Sequence, residues 1–550
     1  MKKRIPIGAS DFKDIIETNN YYIDKTLFIK ELINDGSRIT LFPRPRRFGK
    51  TLNLSTLRYF FDRKNAEENR KLFSGLNIEK EKEFEHQGRY PLIYLTFKDV
   101  KNNQWEDCFH KIKNMIFEVY SEHIYLLDSD KLNAGEKEKI NRIINEKAEK
   151  PDYEDSVKKL SGYLFKHYNE KVIILIDEYD IPIQQGYLHN FYDTSVEFAK
   201  NFFSASFKDN SALYKGSITG ILRVAKESIF SGLNNLKVYS ILEERYSEYF
   251  GFTESEVENF LKDFDLSGRY PAVKEWYDGY TFGEIKIYNP WSIINFISDG
   301  GSSLKPYWVN TSSNDLISKL VLEQQSGVRD NIDILYKGGS IESELNENII
   351  FKNLKTDEEL YSFLFFSGYL RIRTKKENGY ELELTNYEVK LCFRELIKFW
   401  YAKVSENVQR STMLEALLDG DIEYFQNEFQ KYLLTAFSYF NLNVNQTEKV
   451  YQSFMLGMLT AAVSDYNIES ERERGFGRVD ISICHKNDKS KPAIILELKK
   501  LKKDTVEKTL DIAMEQINKK LYSLDLQNQG YSRIIKIAVV FDGKNSYFRF

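Results

Sequence analysis

Cysteine is scarce in this chain: Cys108, Cys392 and Cys484 are the only three among 550 residues, and they lie far apart. That excludes a disulfide framework and a zinc site built on paired cysteines, and it fits a reducing, cytoplasmic setting. Histidine is nearly as scarce, with six residues and no HExxH pattern, so a metal would have to be held by oxygen ligands. Ten prolines are too few for extended spacers, and no internal repeat is visible. No apolar run approaches the roughly 18 residues of a membrane span. The basic start MKKRIPIGASDF is not followed by the apolar stretch of a signal peptide. An excess of one charge is missing too: 78 Lys+Arg stand against 82 Asp+Glu, a net charge of -4. A chain that coats nucleic acid by global charge is thereby excluded, and any such binding must use a local basic cleft.

What the chain has in abundance is apolar surface, with 42% hydrophobic residues, 36 Tyr and 39 Phe. At very roughly 150 residues per domain, this length suggests three or four packed units. Residues 22 to 250 alternate β-rich runs (SRITLF, YPLIYLTF, KVIILIDEYD, ALYKGSITGI) with amphipathic helical stretches, which predicts a covered parallel sheet. From 251 to 345 the pattern becomes helical and carries a Trp- and Tyr-rich patch, WYDGYTFG and YNPWSI, that reads as a lid or connector. Residues 357 to 399 predict a helix, a hairpin turning at Asn378-Gly379, and a second helix (EVKLCFRELIKFWY), the order of a winged-helix module. From 401 to 550 helices precede a strand pair, a long helix and a terminal strand, so the chain ends in a second α/β domain. The predicted division is 1–250, 251–400 and 401–550.

After SRITLF comes PRPRRFGKT, and then a helix. A Gly-Lys-Thr at a strand-to-helix junction is the second half of a phosphate loop: backbone N–H groups hold phosphate, the lysine reaches the β and γ phosphates, and the hydroxyl binds Mg²⁺. Gly49, Lys50 and Thr51 take those roles, and Arg46 and Arg47 add charge; Arg44 stands where the first glycine belongs. On its own the pattern reads equally well as a basic turn capping a helix. The strand KVIILIDE strengthens it, because its C-terminal edge carries Asp177, placed to hold Mg²⁺, and Glu178, placed to orient or deprotonate an attacking water. Thr219, at the end of another strand, sits where a water-positioning hydroxyl would, though a helix-capping role fits as well. Arg223 is a candidate γ-phosphate contact, against the simpler reading of a surface arginine.

Near the C-terminus, GRVDISICH and PAIILELKK form a predicted hairpin. Asp480 opens the first strand, and Glu497 and Lys499, two apart, project from one face of the second. Two hard oxygen ligands with a lysine beside them suit metal-assisted phosphodiester hydrolysis by Mg²⁺, with Mn²⁺ as a substitute. The surface cross-strand pair is the bland alternative, and it is weakened by the apolar run Ala493 to Leu496 that leads into Glu497. The following stretch has Val506, Leu510, Ala513, Ile517 and Leu521 at helical spacing, with Gln516 able to face the site. Glu448 on the upstream helix is a candidate third carboxylate, and a surface glutamate on pattern alone. Lys499, Lys500, Lys502 and Lys503 supply local charge for a phosphate backbone, or form a solvated face.

The segments YYIDKTLFIKELI, PRPRRFGKTLNLSTLRYFF, LIDEYDIPI, ITGILRVAKESIFSGLNN, WYDGYTFG, YNPWSI and ERERGFGRVD followed by ILELK span nearly the whole chain. Together they resemble the bacterial AAA-ATPase-like proteins that carry a C-terminal PD-(D/E)XK nuclease-superfamily domain. The resemblance makes Arg44 a family trait and implies Asp480, Glu497 and Lys499 as the nuclease core, Gln516 as its trailing glutamine and Glu448 as its helix acid. It also implies a histidine one turn after that glutamate, where this chain has Gln452. The expected fold is therefore α/β: a P-loop NTPase parallel sheet, a helical and winged-helix connector, and a restriction-endonuclease-like α/β domain. The expected cofactors are ATP and Mg²⁺, and the expected partner is nucleic acid, DNA ahead of RNA, with no membrane and with oligomerisation left open. Alternatives are a nucleotide-driven signalling switch whose nuclease-like domain only binds, and an ATPase whose winged-helix segment grips duplex DNA.

Overall fold

The computed structural model describes residues 3–223, 235–308, 331–332, 334–348, 351, 354, 356–394, 410–439, 448–460, 465–474, 477–502, 504–519, 522–543 and 545–550. Parts of the motifs read above lie outside these residues: 224–234 of ITGILRVAKESIFSGLNN, the second predicted helix beyond 394, Lys503 and Leu521. The chain forms two compact units, one of residues 1–323 and 338–391, the other of 324–337 and 392–550.

The first unit is built on five parallel strands: β1 (Ile39–Pro43), β2 (Leu92–Thr96), β3 (Val172–Asp177), β4 (Leu213–Gly220) and β5 (Leu236–Val238), in the order β2-β3-β4-β1-β5. Strands buried on both faces must be apolar almost throughout. Every residue of β1 and β3 is buried, and β4 is covered at all but one position. Helices Trp105–Glu122, Ser156–Tyr168 and Tyr192–Phe207 supply the cover, each burying an apolar stripe. Because all the strands run the same way, the C-terminal ends of β1, β3 and β4 share one edge. The register pairs Phe42 with Thr219 and Ile176 with Ile218 at that edge.

Beyond the sheet, β6 (Phe252–Thr253), β7 (Tyr280–Phe282) and β8 (Ile285–Tyr288) form a small antiparallel sheet in the order β6-β8-β7, with helices around it. Its core is Val257, Phe260, Leu261, Val273, Tyr277, Tyr288, Ile293 and Phe296. Next come β9 (Ile341–Ser343), the helix Asp357–Phe366, and the hairpin of β10 (Leu370–Lys376) and β11 (Gly379–Leu384), followed by a helix from 387. The predicted hairpin forms, but its two turn residues are Glu377 and Asn378, one position earlier than the sequence suggests, because Lys376 pairs with Gly379, which already belongs to β11; β9 adds a third strand against β11. This segment seats tightly on the rest of the unit. A Cβ on Gly279, which has φ +146°, would fall 1.8 Å from the Thr385 carbonyl oxygen, so only glycine permits the approach.

The second unit has a mixed sheet, β12 (Tyr466–Arg474), β13 (Gly477–His485), β14 (Ala493–Lys500), β15 (Ile534–Asp542) and β16 (Asn545–Arg549), in sequential order with β14 and β15 parallel. The side-chain period of two splits β14 between two cores. Ile494, Leu496 and Leu498 pack with helices Arg410–Asp419, Ile422–Tyr439 and Glu448–Thr460. Ala493 and Ile495 face the side covered by helix Val506–Lys519, whose Ile517 packs there. Both units are α/β, as the sequence predicts. No described helix is long and apolar enough to cross a membrane.

Candidate active sites

The loop after β1 turns into the helix Lys50–Phe61 through Arg47 (φ 67°) and Gly49 (φ 78°), both left-handed. Left-handed residues interleaved with right-handed ones aim successive N–H groups into one concavity, an anion nest at a helix N-terminus. Lys50 is buried, and its Nζ donates to the carbonyls of Arg44 (2.9 Å) and Pro45 (2.8 Å), which keeps it folded over the loop. Burial pulls the Lys50 ammonium below its ordinary range, while the carboxylates of Glu178, Asp177 and Asp180 act to raise it.

Asp177 ends β3 completely buried and is bracketed by two hydroxyls: Thr51 Oγ1 donates to Oδ2 at 2.7 Å, and Thr219 Oγ1 donates to Oδ1 at 2.5 Å. Two strand ends and the first turn of the helix thus deliver one carboxylate and two hydroxyls to one point beside the nest. Hard oxygen donors next to a phosphate-binding loop suit Mg²⁺, which Thr51 and Asp177 would hold together with phosphate oxygens and water. Glu178 follows in a left-handed conformation (φ 52°), a strained state for a side chain of this kind. Burial, and then the neighbouring Asp177 charge, hold its carboxyl above the usual range. Beside these groups opens a cavity of about 890 Å³, lined by Arg46, Arg47, Lys50, Thr51, Glu178 and Trp291 among others. It is large enough for a nucleoside triphosphate.

Arg46 and Arg47 both line this cavity. Arg46 Nη2 donates to Gln184 Oε1 at 3.4 Å, and the Arg47 guanidinium lies 4.2 Å over the Trp291 ring. Arg44 points away, completely buried, donating from Nη1 to the carbonyls of Pro43 (2.9 Å) and Tyr239 (2.6 Å) and lying over the rings of Phe250 and Phe282. Arg223 comes within 3.9 Å of the Glu347 carboxylate and bridges to Asn348 through its backbone. Asp180 and Gln184 were not singled out from the sequence. Asp180 is buried, and its Oδ2 accepts from the backbone N–H groups of Ile221 (3.0 Å) and Leu222 (3.3 Å) and from Gln184 Nε2 (2.8 Å). That contact fixes which way the Gln184 amide faces Arg46. The signal was the third acid of LIDEYD, which periodicity alone assigns to a helix start.

In the second unit, Ile481 pairs with Leu496, which brings Asp480 on β13 level with the acid end of β14. Asp480 Oδ2 accepts from the Leu498 N–H at 2.8 Å. Glu497 is completely buried, and Lys499 Nζ donates to its Oε1 at 2.8 Å. Burial works to lower the Lys499 ammonium, but the hydrogen bond to Glu497 and the charges of Glu497, Asp480 and Glu448 outweigh it and raise it above its usual range. Glu448 opens its helix and accepts from the Lys500 N–H at 3.2 Å, with Lys499 Nζ at 4.0 Å. Among the described residues, no three His, Cys, Asp or Glu side chains converge on a metal position. The pair Asp480 and Glu497 nevertheless fits Mg²⁺, which takes one or two carboxylates and keeps most of its water. Glu448 braces the end of β14 through its contact with the Lys500 N–H. Gln452, buried where the resemblance implies a histidine, donates from Nε2 to the Asp480 carbonyl at 3.3 Å. Gln516 is half-buried on the helix that covers the Ile495 side of β14.

Comparison with known proteins agrees with this geometry. Residues 6–230 match the AAA-ATPase-like family, described as a predicted AAA-ATPase, and residues 446–549 match the PD-(D/E)XK nuclease superfamily. The chain is also similar to an "Uncharacterized protein in vnfD 5'region" of Azotobacter chroococcum mcd 1, with 26% identity over 499 residues covering 88% of this chain and 87% of that protein. Strands β1 to β4, the phosphate loop and the Asp-Glu-Lys cluster lie within the matched segments, so the chain carries an AAA-ATPase-like domain followed by a PD-(D/E)XK nuclease-superfamily domain.

Proposed function

We propose that the chain binds and hydrolyses ATP and thereby controls a Mg²⁺-dependent nuclease that acts on nucleic acid, DNA in the first place. The observation that carries the first half is the convergence of Lys50, Thr51, Asp177 and Glu178 on the nest formed by Arg47 and Gly49. In this reading Lys50 leaves the Arg44 and Pro45 carbonyls for the β and γ phosphates, and Thr51 and Asp177 present their oxygens to Mg²⁺. Glu178 accepts a proton from the attacking water, and Thr219 keeps Asp177 turned toward the site. Arg46, Arg47 and Arg223 are the candidates for neutralising phosphate charge.

The second half rests on Asp480, Glu497 and Lys499. When bound there, Mg²⁺ lowers the pKa of a coordinated water and neutralises charge on the scissile phosphate. The chain's part is to hold two carboxylates in place through the Leu498 N–H and the Lys499 ammonium, and to present that ammonium to developing negative charge. Gln516 would orient the phosphate or the water. We read the helix–hairpin–helix segment of the first unit as a winged-helix-like coupler.

The test is cleavage of DNA and RNA, single- and double-stranded, with Mg²⁺ or Mn²⁺, by the intact chain and by Glu497→Ala. Metal-dependent cleavage lost in the variant supports the nuclease. A second reading, in which the C-terminal domain binds nucleic acid without cutting it, draws on the local positive charge of Lys499, Lys500 and Lys502 beside the carboxylates. Salt-dependent binding with no turnover under either metal would establish that version.

A further inference from the structure

The phosphate loop is held from outside as well as from within. The Arg46 carbonyl accepts from the Asn289 side-chain amide at 3.4 Å and from the Trp308 indole N–H at 3.3 Å. Both donors lead back to one group. Trp308 gives its backbone N–H to Glu388 Oε1 at 2.7 Å. Ser292, on the helix that Asn289 caps, turns its Oγ to the same carboxyl at 3.0 and 2.8 Å. Glu388 is completely buried and belongs to the helix that follows the β10–β11 hairpin. The donors named here are all neutral, so the carboxyl sits where an apolar side chain would be the less costly filler. From it the path to the nucleotide site is two residues long: Trp308 to Arg46, and Ser292 through its helix to Trp291, which lies under Arg47.

We propose that Glu388 is a positioning residue of the nucleotide site. Through Trp308 and Ser292 it sets the loop backbone at Arg46, so that occupancy of the loop and seating of the helix–hairpin–helix segment depend on one another. The proposal rests on the reading of the loop as a nucleotide site. Linkage makes the dependence reciprocal: if the seated segment tightens nucleotide binding, nucleotide must tighten the segment by the same factor.

The test uses the full chain and measures the affinity for Mg²⁺-ATP by calorimetry, together with hydrogen exchange over 357–394 with and without ATP. Four variants are compared: Glu388→Ala, Glu388→Gln, Trp308→Phe and Lys50→Ala. Losing the Glu388 or indole contact should weaken ATP about tenfold, the usual effect of breaking one buried hydrogen-bonded link. Glu388→Gln, which keeps an acceptor for Trp308, should stay within about threefold of the parent chain. ATP should slow exchange over 357–394 in the parent chain and leave it unchanged in Trp308→Phe. If Glu388→Ala does not fold, Trp308→Phe decides, because it keeps an aromatic ring and the backbone N–H. Parent-like affinity and protection in the Trp308 variant overturn the proposal while leaving the nucleotide site intact. No ATP binding by the parent chain overturns the nucleotide reading and the proposal with it.

Discussion

Arg44 offers a sharp test of how the phosphate loop is built. Sequence logic suggests that replacing it by the glycine usual at that place would improve phosphate binding. The structure predicts the opposite. Arg44 faces away from the cavity, and its backbone is not in the left-handed region, so glycine gains nothing there. Its guanidinium makes two hydrogen bonds to carbonyls, at 2.9 and 2.6 Å, and lies over two aromatic rings. Hydrogen bonds from a charged donor contribute about 1.5 to 3 kcal/mol each, and the stem methylenes about 0.8 kcal/mol each. Against this stands the cost of burying a cation, several kcal/mol, which pushes the guanidinium pKa down to about 9 and leaves it charged at neutral pH. The net loss for Arg44→Gly, cavity included, should be about 3 to 5 kcal/mol. Arg44→Met keeps the volume and sheds the desolvated charge, so it should cost about 1 kcal/mol. Urea unfolding of the full chain, followed by tryptophan fluorescence, reads both. Arg44→Gly with parent-like stability, or with tighter ATP binding, would refute the structural role.

Other expectations follow from single contacts. Glu178→Gln should slow ATP hydrolysis by about 10²- to 10⁴-fold while leaving ATP affinity within a few-fold, checked by phosphate release and calorimetry. Burial raises the Glu388 carboxyl from 4.5 to about 7. The folded state therefore holds a proton that the unfolded state has lost, and stability present below pH 4.5 falls as pH rises to about 7, by up to about 3 kcal/mol. Glu388→Gln should flatten that slope in unfolding measured between pH 5 and 8. Gly279→Ala should cost about 1 to 3 kcal/mol, because the new methyl would strike the Thr385 carbonyl, and should speed proteolysis of the hairpin segment.

The parts legible in sequence are those whose chemistry and position coincide locally. β1 is mostly apolar and runs into the PRRFGKT loop, and β3 is apolar up to its terminal Asp177, so Lys50, Thr51 and Asp177 could be placed on one edge from the sequence. Asp480, Glu497 and Lys499 were readable because an acid at the end of a buried apolar run needs a metal, a proton or a cation to offset its burial. What escaped is long-range. Nothing near Glu388 in sequence says that it meets Ser292, 96 residues away, or Trp308, 80 residues away. Residues 338–391 join the first unit through such contacts. The direction of Arg44 was equally hidden, since its partners Tyr239, Phe250 and Phe282 come from another part of the chain. That the Glu448 carboxylate reaches the Lys500 N–H was hidden as well, since only the register of β14 reveals it.

The central claim is that the nucleotide state of the first unit governs cleavage by the second. The most direct measurement is the rate of Mg²⁺-dependent DNA cleavage with and without ATP, in the parent chain and in Lys50→Ala. The account predicts that ATP changes the rate in the parent chain and has no effect in the variant. Cleavage at one rate in all four conditions would contradict it.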